Sequence, residues 1–584
     1  MSHETPPEDA KIDALPAAHA LDGQTKDLNL RGFEALELIT APSPSCEDVE
    51  YYARRARFVQ AEQGLSFDSI CRARATPLER KVDTIIDGLR QQDRDEIYGA
   101  AKPRQGYARQ IHPRSEGDHF LSNRDLIAQT KLFRVLQRMP KGTHLHIHYN
   151  ACLPPAALLD IAKEMDRMYI TSNLPLSSDN DFSSYDKCEL QFSIRSQDAE
   201  KPGNLFAPNY QPQQTMKFAD FLNHFPRHYR RATVDDWLQQ KLIFQEEEAH
   251  GMLQTAAGAW EKFNGRTRMM KGLFNYEKAY RRYAQLFLED LVRDNIDYAE
   301  IRPNFMKSNQ LFTDDGMGRI DNRGMIDIIV EEVTKFKKTM AANGHQFGGI
   351  KIIYTTPRSL PPEDIEASLQ ECLKLKQEFP QWIAGYDLAG EESKGRPLKD
   401  FVIPLRSFQR QCKQLSIHIP FLFHCGETLD MGTDVDGNVI DAILLGAERV
   451  GHCFALPRHP IAMQQIKRLN ICVEGCPISN EVLGLTPRIG GHSIYTLLAN
   501  NVHCTVNSDN GALFGSTLSH DFYQIVAGKA DFSLYGLKQL ALWSIQHACL
   551  THDERERILS EWSAKWETWL RWVIEEYDET CASD

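Results

Sequence analysis

The sequence predicts an α/β protein: a (β/α)8 barrel of the TIM type with a helical N-terminal extension, an insertion after strand one and C-terminal helices. Three observations predict it. Eight short β-like runs recur between residues 143 and 506, helix-like segments lie between them, and polar clusters fall at the C-terminal ends of several different runs. Strands alternating with helices imply parallel pairing. A barrel gathers the ends of its strands into one mouth, where the alternative, an open doubly wound sheet, does not.

Taken in order, residues 1–47 are rich in Pro, Ala, Asp and Glu and read as a disordered arm. Residues 48–120 form the extension. It holds one helix over 49–63 and a second over 77–95, where Leu78, Val82, Ile85, Ile86 and Leu89 recur at helical spacing. Residues 105–118 have no period and read as loop. A single helix over 122–138, with a Ser or Asn cap, leads into the barrel of residues 121–584. The eight runs are 143–150, 296–302, 349–354, 383–389, 420–424, 449–452, 471–476 and 502–506. Helical stretches at 276–292, 325–340, 362–379 and 398–414 separate them. Residues 152–215 are full of Ser, Asp, Asn and Pro and read as an inserted loop region. From His520 the chain is helical, and Trp562, Trp566, Trp569 and Trp572 in its last helix read as a docking surface against the barrel.

Of the 584 residues, 42% are hydrophobic and 25% charged, with a formal net charge of -13. That balance argues against a general nucleic-acid or anionic-membrane binder. No apolar run is long enough to insert in a membrane. The first residues lack the basic start and apolar run of a secretory signal, which points to the cytoplasm. Thirteen cysteines are scattered without CxxC spacing and read as buried free thiols; Cys152 and Cys188 are a candidate pair only for an exported protein.

The chemistry is concentrated at the strand ends. In Thr143-His-Leu-His-Ile-His148 histidine alternates with apolar residues, so His144, His146 and His148 share one face of a strand. Taken alone this is a weak signal. The fifth strand ends His424-Cys-Gly-Glu427, the sixth ends at His452, and the eighth runs into Ser508-Asp509-Asn510. A satisfied core histidine or a helix cap explains any one of these; one barrel mouth explains them all. His146, His148, His424 and Asp509 supply three imidazoles and a carboxylate, a set suited to one zinc ion with an open position for water. Glu427 is then free as an acid or base, and His452 can orient the hydroxide or share its proton.

The full set of motifs resembles the adenosine deaminases, and more closely their adenosine deaminase-related growth factor branch, in the metallo-dependent hydrolase superfamily. The matching pieces are Met139-Pro-Lys-Gly142 with His146-Ile-His148, Gly349-Ile-Lys-Ile-Ile-Tyr354, Gly385-Tyr-Asp-Leu-Ala-Gly390-Glu-Glu392, His424-Cys-Gly-Glu427, Arg449-Val-Gly-His452, Cys476-Pro-Ile-Ser-Asn480 and Ser508-Asp509. The resemblance implies zinc on His146, His148, His424 and Asp509, and protonation of purine N1 by Glu427. It implies a water positioned and deprotonated with the help of His452, and a contact from the Gly390 backbone to purine N3. It also implies a homodimer formed through the extension, a partner contact through the insertion, and an extracellular location as the alternative to the cytoplasm.

Four residues depart from the family pattern. Asn510 and Asn150 stand where the family has aspartates near purine N7 and the ribose, and Cys425 and Cys453 replace smaller residues. An asparagine can donate a hydrogen bond directly where a carboxylate cannot, and it carries no charge. The expectation is hydrolytic deamination of adenosine or 2′-deoxyadenosine to inosine and ammonia. The alternatives are another amino-purine or modified nucleoside as substrate, or a weakly active growth-factor-like binding protein.

Overall fold

A computed structural model describes residues 47–177 and 179–578. Residues 1–46 of the expected arm lie outside them. The chain divides into two units, residues 1–70 and 71–584. In the first unit, helix α1 (Glu47–Leu65) exposes Tyr51, Tyr52 and Phe58.

In the second unit, α2 (Pro77–Asp93) starts with a reciprocal cap: Thr76 Oγ1 accepts from Glu79 N–H, and Glu79 Oε2 accepts from Thr76 N–H. Val82, Ile86 and Leu89 form its buried stripe. The helix expected over 122–138 is two helices, α3 (Phe120–Ile127) and α4 (Lys131–Arg138), and the first has His119 at its N-cap without a side-chain bond. Tertiary structure makes the break. Thr130 caps α4, and the Asp93 carboxylate accepts from the N–H groups of Lys131 and Leu132, both at 2.9 Å. Local periodicity carries no sign of a cap supplied from 38 residues away.

Eight parallel strands follow: β1 (Gly142–His148), β2 (Ile296–Arg302), β3 (Gly349–Pro357), β4 (Ile383–Ala389), β5 (Leu422–Cys425), β6 (Arg449–His452), β7 (Cys472–Gly475) and β8 (Cys504–Val506). Every residue of β2 and β4 is buried, as expected for parallel strands covered on both faces. They form two four-stranded sheets, ordered β4-β3-β2-β1 and β5-β6-β7-β8. Single parallel bridges join the sheets at both edges, Tyr386 to Phe421 and Ile147 to Asp509. In the second, Asp509 N–H donates to His146 O and His148 N–H donates to Asp509 O.

The inserted region is not loop. It contains a helix (Pro155–Lys163) and a three-stranded antiparallel sheet of Leu190–Ile194, Met168–Ser172 and Met216–Lys217. The central strand is buried on both faces, which removes the polar alternation that would have marked it. Against this sheet lies helix α5 (Ala256–Phe274). A Cβ on Gly272 would stand 1.7 Å from Phe192 O, so only glycine permits that crossing.

Helix α6 (His552–Tyr577) closes the chain. Trp562, Trp566 and Trp569 are buried along it. Their indole N–H groups donate to Pro140 O, Glu79 Oε1 and Val135 O at 3.0, 3.0 and 3.1 Å. Trp572 is only half buried and lies against the Arg138 guanidinium. The bond to Pro140 holds the chain just ahead of β1. Trp562→Ala is expected to lower stability by about 3–5 kcal/mol, read as a reduced midpoint in urea denaturation with an unchanged slope.

Candidate active site

The site is built where the carboxyl ends of the strands meet. His146 and His148 end β1, His424 lies in β5, and Asp509 follows β8. Their donor atoms all lie within 4.8 Å of one another. His148 Nε2 is 3.2 Å from His424 Nε2 and 3.2 Å from Asp509 Oδ1, and His146 Nε2 is 3.4 Å from that oxygen. His144 is not part of this group. The β1–β2 register shifts between His144 and Ile147, and His144 Nε2 instead accepts from the Ser508 N–H at 3.1 Å.

These four side chains fit a metal ion. His146 Nε2 and Asp509 Oδ1 are buried with no hydrogen-bond partner, a costly state unless something else satisfies them. The outward nitrogens are occupied: His146 Nδ1–H donates to Glu474 and His424 Nδ1–H to Asp387, each at 2.7 Å. That arrangement fixes the tautomer and leaves the Nε2 lone pairs facing inward. Asp509 Oδ2 accepts from Ser479 Oγ–H at 2.8 Å, leaving Oδ1 for the centre. Burial lowers the His424 pKa to about 3, so the imidazole is neutral, as a ligand must be.

A layer of buried charge supports the cluster. Arg302 donates to Asp387 Oδ2 at 2.9 Å and to Glu474 Oε2 at 2.6 Å, and Arg449 joins Glu474 to Glu300 with two 2.6 Å contacts. None of Arg302, Asp387, Glu474 or Arg449 was singled out for the site from sequence. For Asp387 and Glu474 the signal was available: each is a charged residue inside an otherwise apolar strand run.

Glu427 lies behind the turn after β5 and is 3% exposed. Burial first, then the charges of Asp509 and Glu392, push its pKa well above the usual carboxylate range. Glu392 holds that turn by accepting from the N–H groups of Gly426 and Glu427 and from Asn438 Nδ2. His452 is placed by a relay. Ile494 N–H donates to His492 Nδ1, His492 Nε2–H to Asn480 Oδ1, and Asn480 Nδ2–H to His452 Nδ1, at 3.0, 2.9 and 3.0 Å. The His452 proton is therefore on Nε2, 4.0 Å from Asp509 Oδ2. Between β5 and β6, His424 pairs with Gly451, and a Cβ there would stand 2.8 Å from His146 Cε1. His452, Cys453 and Asp509 all have positive φ, 57°, 46° and 56°, a strained cluster of non-glycine residues.

A cleft of about 330 Å³ opens over these groups, the size of a small-ligand pocket. Asn150, Gly390 and Asn510 line it. Asn510 starts a short helix without capping it, so its amide is available to a ligand. One wall is α5, whose Trp260, Phe263, Asn264, Thr267 and Lys271 follow helical spacing along one face. The sequence reading gave this wall no role. Cys152 and Cys188 are not paired; each donates its thiol to a nearby backbone carbonyl, Tyr149 O and Tyr185 O.

An α/β fold with imidazoles and a carboxylate converging at strand ends defines a hydrolase of the amidohydrolase type. The comparisons narrow this. The family described as adenosine deaminase matches residues 239–565. Adenosine deaminase 2 of Homo sapiens is 29% identical over 463 residues, covering 77% of this chain and 82% of the relative. The Sus scrofa protein of that name is 30% identical over 452 residues, covering 77% and 82%. A Burkholderia ambifaria amidohydrolase structure with bound Zn aligns with TM-score 0.51 at 15% identity, covering 76% of this chain and 95% of the other. An Arabidopsis N6-mAMP deaminase aligns with TM-score 0.50 at 14% identity, covering 74% and 99%. The chain belongs to the adenosine deaminase family and is a hydrolytic deaminase.

Among the described residues, no helix is long and apolar enough to cross a membrane. Glu474→Gln removes one charge from the layer that orients His146. It is expected to weaken metal binding by about 10–100-fold, measured by competition with a chromogenic zinc chelator.

Proposed function

We propose that the protein deaminates a 6-aminopurine nucleoside, adenosine or a close relative, using zinc on His146, His148, His424 and Asp509. The observation that carries this reading is a buried carboxyl, Glu427, lining the same cleft as the four converging donor atoms, with burial raising its pKa above the usual carboxylate range. When bound, such an ion supplies Lewis acidity and makes water a nucleophile near neutral pH. Glu427 donates its proton to ring N1, so that C6 becomes electrophilic. Water adds at C6, one of its protons passes to the amino nitrogen so that the C6–N bond breaks and ammonia leaves, and the proton left on O6 returns to the Glu427 carboxylate as the C6 carbonyl forms. His452 Nε2 carries a hydrogen, so it orients the water as a donor; the relay to Asn480 argues against a role in deprotonating it. Gly390 offers backbone to the purine, and Asn150 and Asn510 offer amides to the ribose and N7.

The edge bridges support reading the two sheets as one ring of eight strands. The exposed aromatics of α1 support reading residues 48–120 as a self-association element.

Adenosine should lose absorbance near 265 nm on incubation with the zinc-loaded enzyme, with equivalent ammonia; ammonia from no purine would overturn the reading. Glu427→Gln is expected to lower kcat by about 10²–10⁴-fold or more with metal content unchanged. Asn510→Asp is expected to move relative kcat/KM towards adenosine across a panel of amino-purines. An unchanged ranking would remove Asn510 from substrate choice.

A further inference from the structure

The cleft is unevenly charged. Among the described residues, the carboxylates lining it are Glu427 and Asp509, both in the reacting cluster. The α5 wall carries instead Lys271, which is half-buried and forms no ion pair among the described residues. Arg268 on the same helix differs in this respect, held by Glu189 through two 2.8 Å bonds. The charge acting on Lys271 is another cation, Arg319, which lies over the Phe312 ring and likewise forms no ion pair among the described residues. A cation partly removed from water and left without a counterion carries a cost that an anion would relieve.

The surroundings are suited to an anion. Asn275 and Ser308 offer side-chain hydrogen-bond donors to the cleft, while Asn264, Thr267 and Asn309 also line it and already donate to Glu391, Asn264 O and Asn304 O. Asn150 and Asn510 contribute neutral amides, and the carboxylates that touch this wall, Glu391 and Glu189, are paired with Lys394 and Arg268. An uncharged ribose does not require a desolvated ammonium. A phosphate monoester does, since Lys is a point-charge phosphate binder and its charge-assisted bonds are the strong ones.

We infer that the preferred substrate is a 6-aminopurine nucleoside bearing a phosphomonoester on its ribose, with Lys271 as the residue that selects the phosphate. This rests on the deaminase reading above. The chemistry does not distinguish a 5′- from a 3′-phosphate, and the assay does so by including both.

The test compares kcat/KM for adenosine, its 5′-monophosphate and its 3′-monophosphate on the zinc-loaded full chain. The wild type should favour one monophosphate over the nucleoside by about tenfold or more. That advantage should shrink as salt is raised. In Lys271→Gln the ratio should fall towards one, and Lys271→Arg should restore most of it. A wild-type ratio at or below one, or a ratio unchanged by Lys271→Gln, overturns the inference while leaving the deaminase reading intact. Calorimetric titration with inosine and its two monophosphates reads the same preference without turnover. Ammonia from none of the three substrates, with the monophosphate still bound through Lys271, overturns the deaminase reading alone.

Discussion

The Arg302 guanidinium holds the site together. It is fully buried, and it donates at once to Asp387, to Glu474 and to the Leu145 carbonyl. Asp387 orients His424 and Glu474 orients His146. One cation on β2 therefore sets the geometry of two imidazoles on two other strands. It also tethers β1 through its backbone between them. Buried charges are expensive unless paired and hydrogen-bonded on every side. Here the pairing is complete, and the network continues through Arg449 to Glu300 and to the His547 carbonyl ahead of the last helix.

This arrangement explains how a cluster drawn from distant positions is rigid. Four of these side chains have an outer partner: Glu474, Asp387, Ser479 and Asn480 for His146, His424, Asp509 and His452. The partners lie on strands or on the helix after β7, elements whose packing fixes them to a fraction of the tolerance that catalysis demands. The cleft wall is assembled differently. Helix α5 is held by the inserted sheet at the Gly272–Phe192 crossing, so substrate contacts can change without disturbing the cluster. That division separates reaction chemistry from the choice of ligand.

Much of this architecture was legible in the amino-acid sequence. The bounds of β2, β4 and β6 match the apolar runs read from it, because both faces of these strands are buried and the runs end at charged or glycine residues. The histidines, Glu427 and Asp509 stood out as polar residues where apolar runs end. The rest depended on distance in space. The break between α3 and α4 is made by Asp93, a remote side chain. The exclusion of His144 follows from a register shift within β1, which strict alternation cannot show. Of the inserted strands, Met168–Ser172 was hidden by two-sided burial, while Leu190–Ile194 alternates but lay among dense turn residues. Asp387 and Glu474 were visible as charges within strands, but their partners are not deducible from one chain read linearly.

The left-handed backbone at His452, Cys453 and Asp509 has an evolutionary consequence. Each such residue sits roughly 1–3 kcal/mol above a relaxed conformation, and the surrounding core must be rigid enough to keep it there. Relieving this tension would raise heat resistance but blunt the enzyme. Variants selected for durability should therefore accumulate their changes in the outer helices and loops, and leave these three positions untouched.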